Sequence, residues 1–150
     1  MILTKTCNYA IRALLYVATR KESNFVPVRE ISQKLNISFH FLSKIHLILI
    51  QHHLTTSSRG AKGGVSLARP AEDITIYDII EAVDGDAIFH NCVLGLENCS
   101  DDHPCPLHDS WSKYRLNLKK IFQEVTLADL AEKINKEQVR LSNIREIFDS

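Results

Sequence analysis

No hydrophobic run in this 150-residue sequence is long enough to cross a bilayer; the longest, such as IHLILI at 45–50, falls far short of the ~20 residues a spanning helix needs. The chain also lacks a basic stretch followed by an apolar core at its start, so the reading is a cytoplasmic protein without membrane contact. Cysteine is sparse, at four residues, and three of the four crowd into residues 91–109, NCVLGLENCSDDHPCPLHD. In a reducing compartment structural disulfides are disfavoured, and three thiols in one loop cannot all pair with one another. A secreted disulfide scaffold is thereby excluded, and metal binding or thiol redox chemistry is left. Internal repeats and low-complexity tracts are missing too. Nothing marks a substrate cleft or an exposed, activated thiol, so an enzyme is not expected.

Acidic residues are scarce in the first part of the chain. Residues 1–69 carry ten Lys and Arg against Glu22 and Glu30, a net +8, whereas residues 70–150 carry eight against sixteen, a net −8. The whole-chain charge of zero therefore conceals a basic half suited to nucleic acid and an acidic half suited to something else.

Hydrophobic spacing organises the basic half. Cys7, Ile11, Leu14, Leu15 and Ala18 recur as one face of a helix over residues 4–20, with Cys7 a small buried side chain rather than a ligand. Residues 28–53 contain two helical patterns, Ile31 and Leu35 in the first and Leu42, Ile45 and Leu49 in the second, separated at Asn36, Ile37 and Ser38. Asn tolerates the left-handed backbone of a tight turn and Ser caps the following helix, which predicts a helix-turn-helix. Next, LTTSSRGAKGGVSLAR at 54–69 reads as strand, glycine-rich tip and strand, a β-hairpin wing. No helix follows its glycines, which argues against a nucleotide-phosphate loop. DITIYDIIEAVDG predicts a short helix with Ile76, Ile79, Ile80 and Val83 inward, closed by Gly85.

The acidic half contains a second long pattern. Trp111, Tyr114, Leu118, Ile121, Phe122 and Val125 recur at helical spacing. A winged helix offers such a stripe little core, so it is expected to pair with a second chain. TLADLAEK, from Thr126, has the Thr-x-x-Asp form of a capping box and starts another helix; Ile134, Leu141, Ile144 and Ile147 lie in a stretch, 133–150, that the pattern leaves helical or frayed. The fold class expected is mainly α: a winged helix-turn-helix with a small β-hairpin wing, plus a long C-terminal dimerisation helix. The expected divisions are a winged helix-turn-helix domain suited to nucleic acid (1–84), a loop that gathers the cysteines (85–108), and a dimerisation helix with the C-terminal segment (109–150).

Between Gly85 and Trp111 apolar residues are few, Glu97, Asp101 and Asp102 repel one another, and prolines interrupt any helix. A metal centre would supply the missing cross-links. Cys92, Cys99, Cys105 and His108 form C-x6-C-x5-C-x2-H, four soft or borderline donors. The spacing is wider than the paired cysteines of zinc fingers. Iron-sulfur clusters accept thiolate and imidazole, so an iron-sulfur centre is preferred to zinc, and zinc to metal-free redox thiols. His90 and His103 are alternatives to His108.

Taken together, the opening LTKTCNYAIRALLYVA, the wing SSRGAKGGVSLARP with ITIYDIIEAVDG after it, and three spaced cysteines before a helix with Trp111 resemble the Rrf2 family of bacterial winged-helix regulators, with its IscR and NsrR branches. The likeness covers about residues 1–132. It implies a homodimer with one cluster per chain, whose state sets DNA affinity or site choice and so admits redox, iron, cluster-status or nitric oxide sensing. Position by position, the family cysteines fall on Cys92, Cys99 and Cys105, and the histidine ligand of the IscR branch on His108. The first cysteine interval is one residue longer than the IscR-like pattern. Asn8 stands where the NsrR branch has an aspartate that reaches the partner chain's cluster, and a neutral amide is a poor iron ligand. The resemblance therefore favours a [2Fe-2S] centre over [4Fe-4S]. Ser43 stands where IscR carries a glutamate on its recognition helix, so the resemblance does not carry over an operator sequence.

The mechanism expected is a symmetric dimer on double-stranded DNA, its recognition helices in successive major grooves of a near-palindromic operator. Ser38, Phe39, His40, Ser43 and Lys44 would face the major groove. Arg59 and Lys62, with Gly63 and Gly64 of the wing, would meet the flanking minor groove.

Overall fold

A computed structural model of the chain describes residues 2–20 and 25–137. The first helix, α1 (Lys5–Thr19), begins where the Thr4 hydroxyl accepts a hydrogen bond from the Cys7 amide at 3.1 Å. Its buried face is broader than the predicted stripe. Cys7, Leu14 and Leu15 are buried as expected, together with Ala10, Ala13, Tyr16 and Val17, while Ile11 and Ala18 are half-buried. The breadth reflects position, because α1 packs against elements on several sides.

The helix-turn-helix forms as its spacing predicts. Helix α2 (Val28–Leu35) ends at Asn36, which takes φ 54° and ψ 48°, and α3 (Phe39–Gln51) starts at Ser38, whose hydroxyl accepts from the Phe41 amide. The left-handed residue lets the Ile37 amide bond back to the Ser32 carbonyl at 3.0 Å, which closes the turn. Strands β1 (Thr55–Ser58) and β2 (Gly64–Leu67) pair antiparallel, Thr55 opposite Leu67 and Ser58 opposite Gly64, with residues 59–63 at the tip. Val26 adds a bridge to this hairpin by exchanging both backbone hydrogen bonds with Val65 at 2.8 Å. Gly64 sits at φ 146°, and a Cβ there would stand 2.2 Å from the Val26 carbonyl oxygen. A Cβ on Gly63 would lie equally close to the Ser58 carbonyl oxygen. Packing within the wing therefore requires both glycines, before any DNA is considered.

Helix α4 (Ile76–Val83) carries a full capping box, with the Asp78 amide donating to Thr75 Oγ1 at 3.1 Å and the Thr75 amide to the Asp78 carboxylate at 2.9 Å. Ile76, Ile79 and Ile80 are buried as predicted. The chain then runs without long regular elements to α5 (His108–Glu124), which begins at His108, nearly a turn before Trp111.

The apolar stripe of α5 is divided. Leu118, Phe122 and Val125 pack on the chain's own core, Phe122 against Phe89 with ring centroids 6.2 Å apart, whereas Tyr114, Leu116 and Ile121 are exposed. The core thus offers α5 more than a bare winged helix would, because Tyr77 and Phe89 extend it. Helix α6 (Leu127–Glu137) begins with the predicted capping box, Thr126 and Asp129, and returns to the first half. Backbone bonds from Ile76 to Val125 and from Leu127 to Ile74 tie its start to α4, and Leu127 and Ile134 enter the same core as Leu14 and Ile79. Leu141, Ile144 and Ile147 lie outside the described residues.

Because Leu127 is fully enclosed, its truncation leaves a cavity in the core beneath the helix-turn-helix. Leu127→Ala should lower unfolding free energy by about 2–5 kcal/mol in urea titration. A change near zero would mean that α6 does not share that core.

Candidate metal centre and nucleic-acid interface

On the helix-turn-helix, Ser38, Phe39, His40 and Lys44 are exposed and Ser43 is half-exposed, its hydroxyl bonded back to the Phe39 carbonyl at 2.8 Å. Arg59 and Lys62 are exposed at the wing tip, Gly64 is half-buried, and Gly63 is enclosed by the hairpin. Two neighbours were not evident from spacing. The Arg29 guanidinium lies 5.1 Å from the Phe39 ring centroid, and Leu47, one and two turns beyond Ser43 and His40, is 61% exposed on the same side of α3. Only the turn geometry brings Arg29, on α2, over Phe39.

The inner side of α3 is tied to the wing. His46 Nδ1 lies 3.1 Å from the buried Thr55 hydroxyl, its Nε2 is buried without a hydrogen-bond partner, and burial lowers the ring's pKa. At the other end of the motif, Arg12 donates to the Leu35 carbonyl at 3.2 Å and so caps α2.

The cysteine segment is assembled against the start of α5. Cys92 and Cys105 bring their sulfurs to 3.5 Å, and Cys99 Sγ lies 3.4 Å from His108 Nδ1. The four predicted donors therefore form two close pairs. His108, though it is the first residue of α5, is buried, and its Nε2 lies 2.7 Å from the Asp101 carboxylate, leaving Nδ1 turned to the thiol. The hydrogen bond to Asp101, and then that to Cys99, raises the His108 pKa. The Arg115 guanidinium, followed by His108, lowers that of Cys99. Backbone amides at Leu96 and Leu94 lower the Cys92 pKa, while desolvation raises that of Cys105. His90 instead pairs with Asp86 at 3.1 Å, and His103 is exposed. Cys7 is fully enclosed, its thiol pushed up to about 12 by burial. Among the described residues, no three His, Cys, Asp or Glu side chains converge as a site for one metal ion.

The model of the Rrf2 family, described as an iron-dependent transcriptional regulator, matches residues 3–133. The chain belongs to the Rrf2 family. Among Rrf2 relatives, the transcriptional regulator IscR of Sodalis glossinidius is 33% identical over 87% of this chain and 78% of its own, and the regulator NsrR of Oceanobacillus iheyensis is 29% identical over 93% and 94%. The solved structure of CymR, the global cysteine regulator of Bacillus subtilis, superposes with a TM-score of 0.73 at 26% identity, covering 87% of this chain and 95% of that one. The winged-helix architecture read from spacing is thus the Rrf2 architecture, and the chain is a DNA-binding transcriptional regulator. Among the described residues no helix is long and apolar enough to cross a membrane.

Two side chains at the cysteine segment escaped sequence reasoning. Trp111 Nε1 donates to the Asn91 carbonyl at 2.9 Å, and Arg115 donates to the His90 and Asn91 carbonyls and to Cys99 Sγ. Helical spacing had marked Trp111 as part of an apolar stripe and Arg115 not at all; their i, i+4 relation was the available signal.

His46 gives the interface a defined pH response. Its folded pKa lies below the ordinary 6.5, so the unfolded chain takes up the proton first as pH falls. The stability it carries is present above that value and declines below it. In His46→Gln, which cannot take the proton, the urea midpoint should fall less than that of wild type between about pH 7.5 and about pH 5.5. Parallel declines would refute the burial of this ring.

Proposed function

We propose that this chain is a homodimeric regulator whose grip on DNA is controlled by an iron-sulfur cluster held by Cys92, Cys99, Cys105 and His108. The observation that carries the reading is the pairing of donors, Cys92 with Cys105 and Cys99 with His108. A tetrahedral ion with metal–sulfur bonds of about 2.3 Å keeps two thiolates about 3.8 Å apart. Each pair is therefore close to the separation that two ligands of one metal require. Two donors per metal suit a two-iron centre, which supports [2Fe-2S]. A single zinc ion would need all the donors around one point, and the two pairs do not favour it.

When bound, the cluster supplies cross-links across residues 92–108 and a charge that changes with redox state. The chain's own residues do the rest. Asp101 fixes His108 with Nδ1 toward Cys99, and Trp111 and Arg115 hold the 90–91 backbone on α5. The exposed Tyr114 and Ile121, seven residues apart on one side of α5, are the apolar face on which a second copy would pack. That pairing would set two α3 helices in successive major grooves of a near-palindromic operator. His40, Ser43 and Lys44 would read base edges, and the Phe39 ring, backed by Arg29, would meet apolar base surface such as a thymine methyl. Losing the cluster would free the loop and re-space the wings, an order–disorder switch needing ~1–3 kcal/mol of coupling.

Oxygen-free purification with visible spectroscopy and analysis for iron, sulfide and zinc tests the centre. About two iron and two sulfide per chain are expected, and colourless, iron-poor protein after reconstitution would sink the reading. For the interface, Lys62→Ala should weaken binding to every DNA sequence and reduce the salt slope by about 1, whereas substitution of Ser43 should change preference among sequences. Unchanged salt dependence on removing Lys62 would exclude the wing from the contact.

A further inference from the structure

Arg115 lies seven residues after His108 and four after Trp111, which places all three on one face of α5. That face holds the cysteine segment. The Nη1 group of Arg115 donates to Cys99 Sγ at 3.1 Å and to the His90 and Asn91 carbonyls at 3.0 and 3.2 Å. Asn91 also accepts from the Trp111 indole, so its carbonyl is held twice from α5. One half-buried cation thus joins the start of the loop to the sulfur of the second cysteine.

We propose that Arg115 is a positioning residue that fixes Cys99 for cluster binding and raises the reduction potential of the bound cluster. The proposal rests on the reading of Cys99 as a ligand. Reduction adds one electron, and with it one negative charge, to a centre already carrying thiolates. A guanidinium donating directly to a ligand sulfur stabilises the more negative state more strongly than the oxidised one, which moves the potential upward. Hydrogen bonds to cluster sulfurs are among the determinants of such potentials. On the same donor pair the Asp101 carboxylate, attached to His108, acts in the opposite sense, and Arg115 offsets it. Lysine would keep the charge but ends one atom nearer the helix and lacks the fixed guanidinium plane, so its ammonium would be less well placed over the three acceptors.

The test is an oxygen-free spectroelectrochemical titration of wild type, Arg115→Gln and Arg115→Lys, with iron and sulfide content and hydrogen exchange of the cluster-free proteins measured alongside. Arg115→Gln should hold the cluster with the reduced form about tenfold less favoured, a fall of ~59 mV for one electron. Arg115→Lys should fall less. Without cluster, exchange across 90–99 should be several-fold faster in Arg115→Gln, since the clamp is built from protein atoms alone. A merely structural role would change retention and exchange but leave the potential in place. An unchanged potential at full iron content overturns the inference while the cluster reading stands. If Arg115→Gln retains no cluster, Arg115→Lys decides, and a wild-type potential there overturns it. Wild-type protein that takes up no iron overturns the cluster reading and this inference together.

Discussion

Between Gly85 and Leu107 the chain buries two side chains, Phe89 and Cys92. Fixing each backbone residue costs about 1–2 kcal/mol of conformational entropy, and burying one large apolar side chain returns about 1.5–3 kcal/mol. A segment of this length cannot order itself on those terms, and the charges of Glu97, Asp101 and Asp102 add repulsion. Its order has to come from outside. In the protein alone it comes from α5, through the bonds of His108, Trp111 and Arg115 to the segment. His108 belongs to the helix and the three cysteines to the loop, and the four side chains gather where the two meet.

Helix α5 consequently serves both the segment and the core. The N-terminal half of one face holds the cysteine segment and its C-terminal half packs Leu118 and Phe122 into the core beside Tyr77 and Phe89, while Tyr114 and Ile121 on the adjoining face, and Leu116 on the far side, are exposed. Its far end leads into α6, which packs against α1. The N-terminus of α5 and the core beneath the helix-turn-helix therefore belong to one packed unit.

Elements defined by local chemistry were legible in the sequence. Asn36 and Ser38 announced the turn of the helix-turn-helix, the glycines announced the wing, and Thr126 with Asp129 announced α6. Three cysteines and a histidine also stood out in a segment that has no core for them to fill, and the structure brings them together, although nothing in the spacing told which side chain lies beside which. What escaped depends on contacts between distant residues. Gly64 is required by Val26, Leu127 fills a core made largely by the first half of the chain, and His46 meets Thr55 across the α3–β1 corner. Arg115 escaped for a different reason. On a helical wheel a lone arginine reads as solvated charge, and its role appears only when the loop carbonyls and Cys99 are brought to it.

The connection between the cysteine segment and the DNA-binding surface can be followed at the point where the segment leaves α4. Asp84, the last residue before Gly85 opens the loop, accepts hydrogen bonds from both the amide of Thr4, at 3.0 Å, and its hydroxyl. Thr4 in turn caps α1, which packs against α2, α3 and β2, the elements that carry the recognition helix and the wing. The root of the loop is thus bonded to the root of the helix that organises the DNA-binding half. A net hydrogen bond contributes about 0.5–1.5 kcal/mol. Regulation over a 5- to 150-fold range needs ~1–3 kcal/mol. The two bonds of this clasp are together of that size, and breaking them would need no helix to refold.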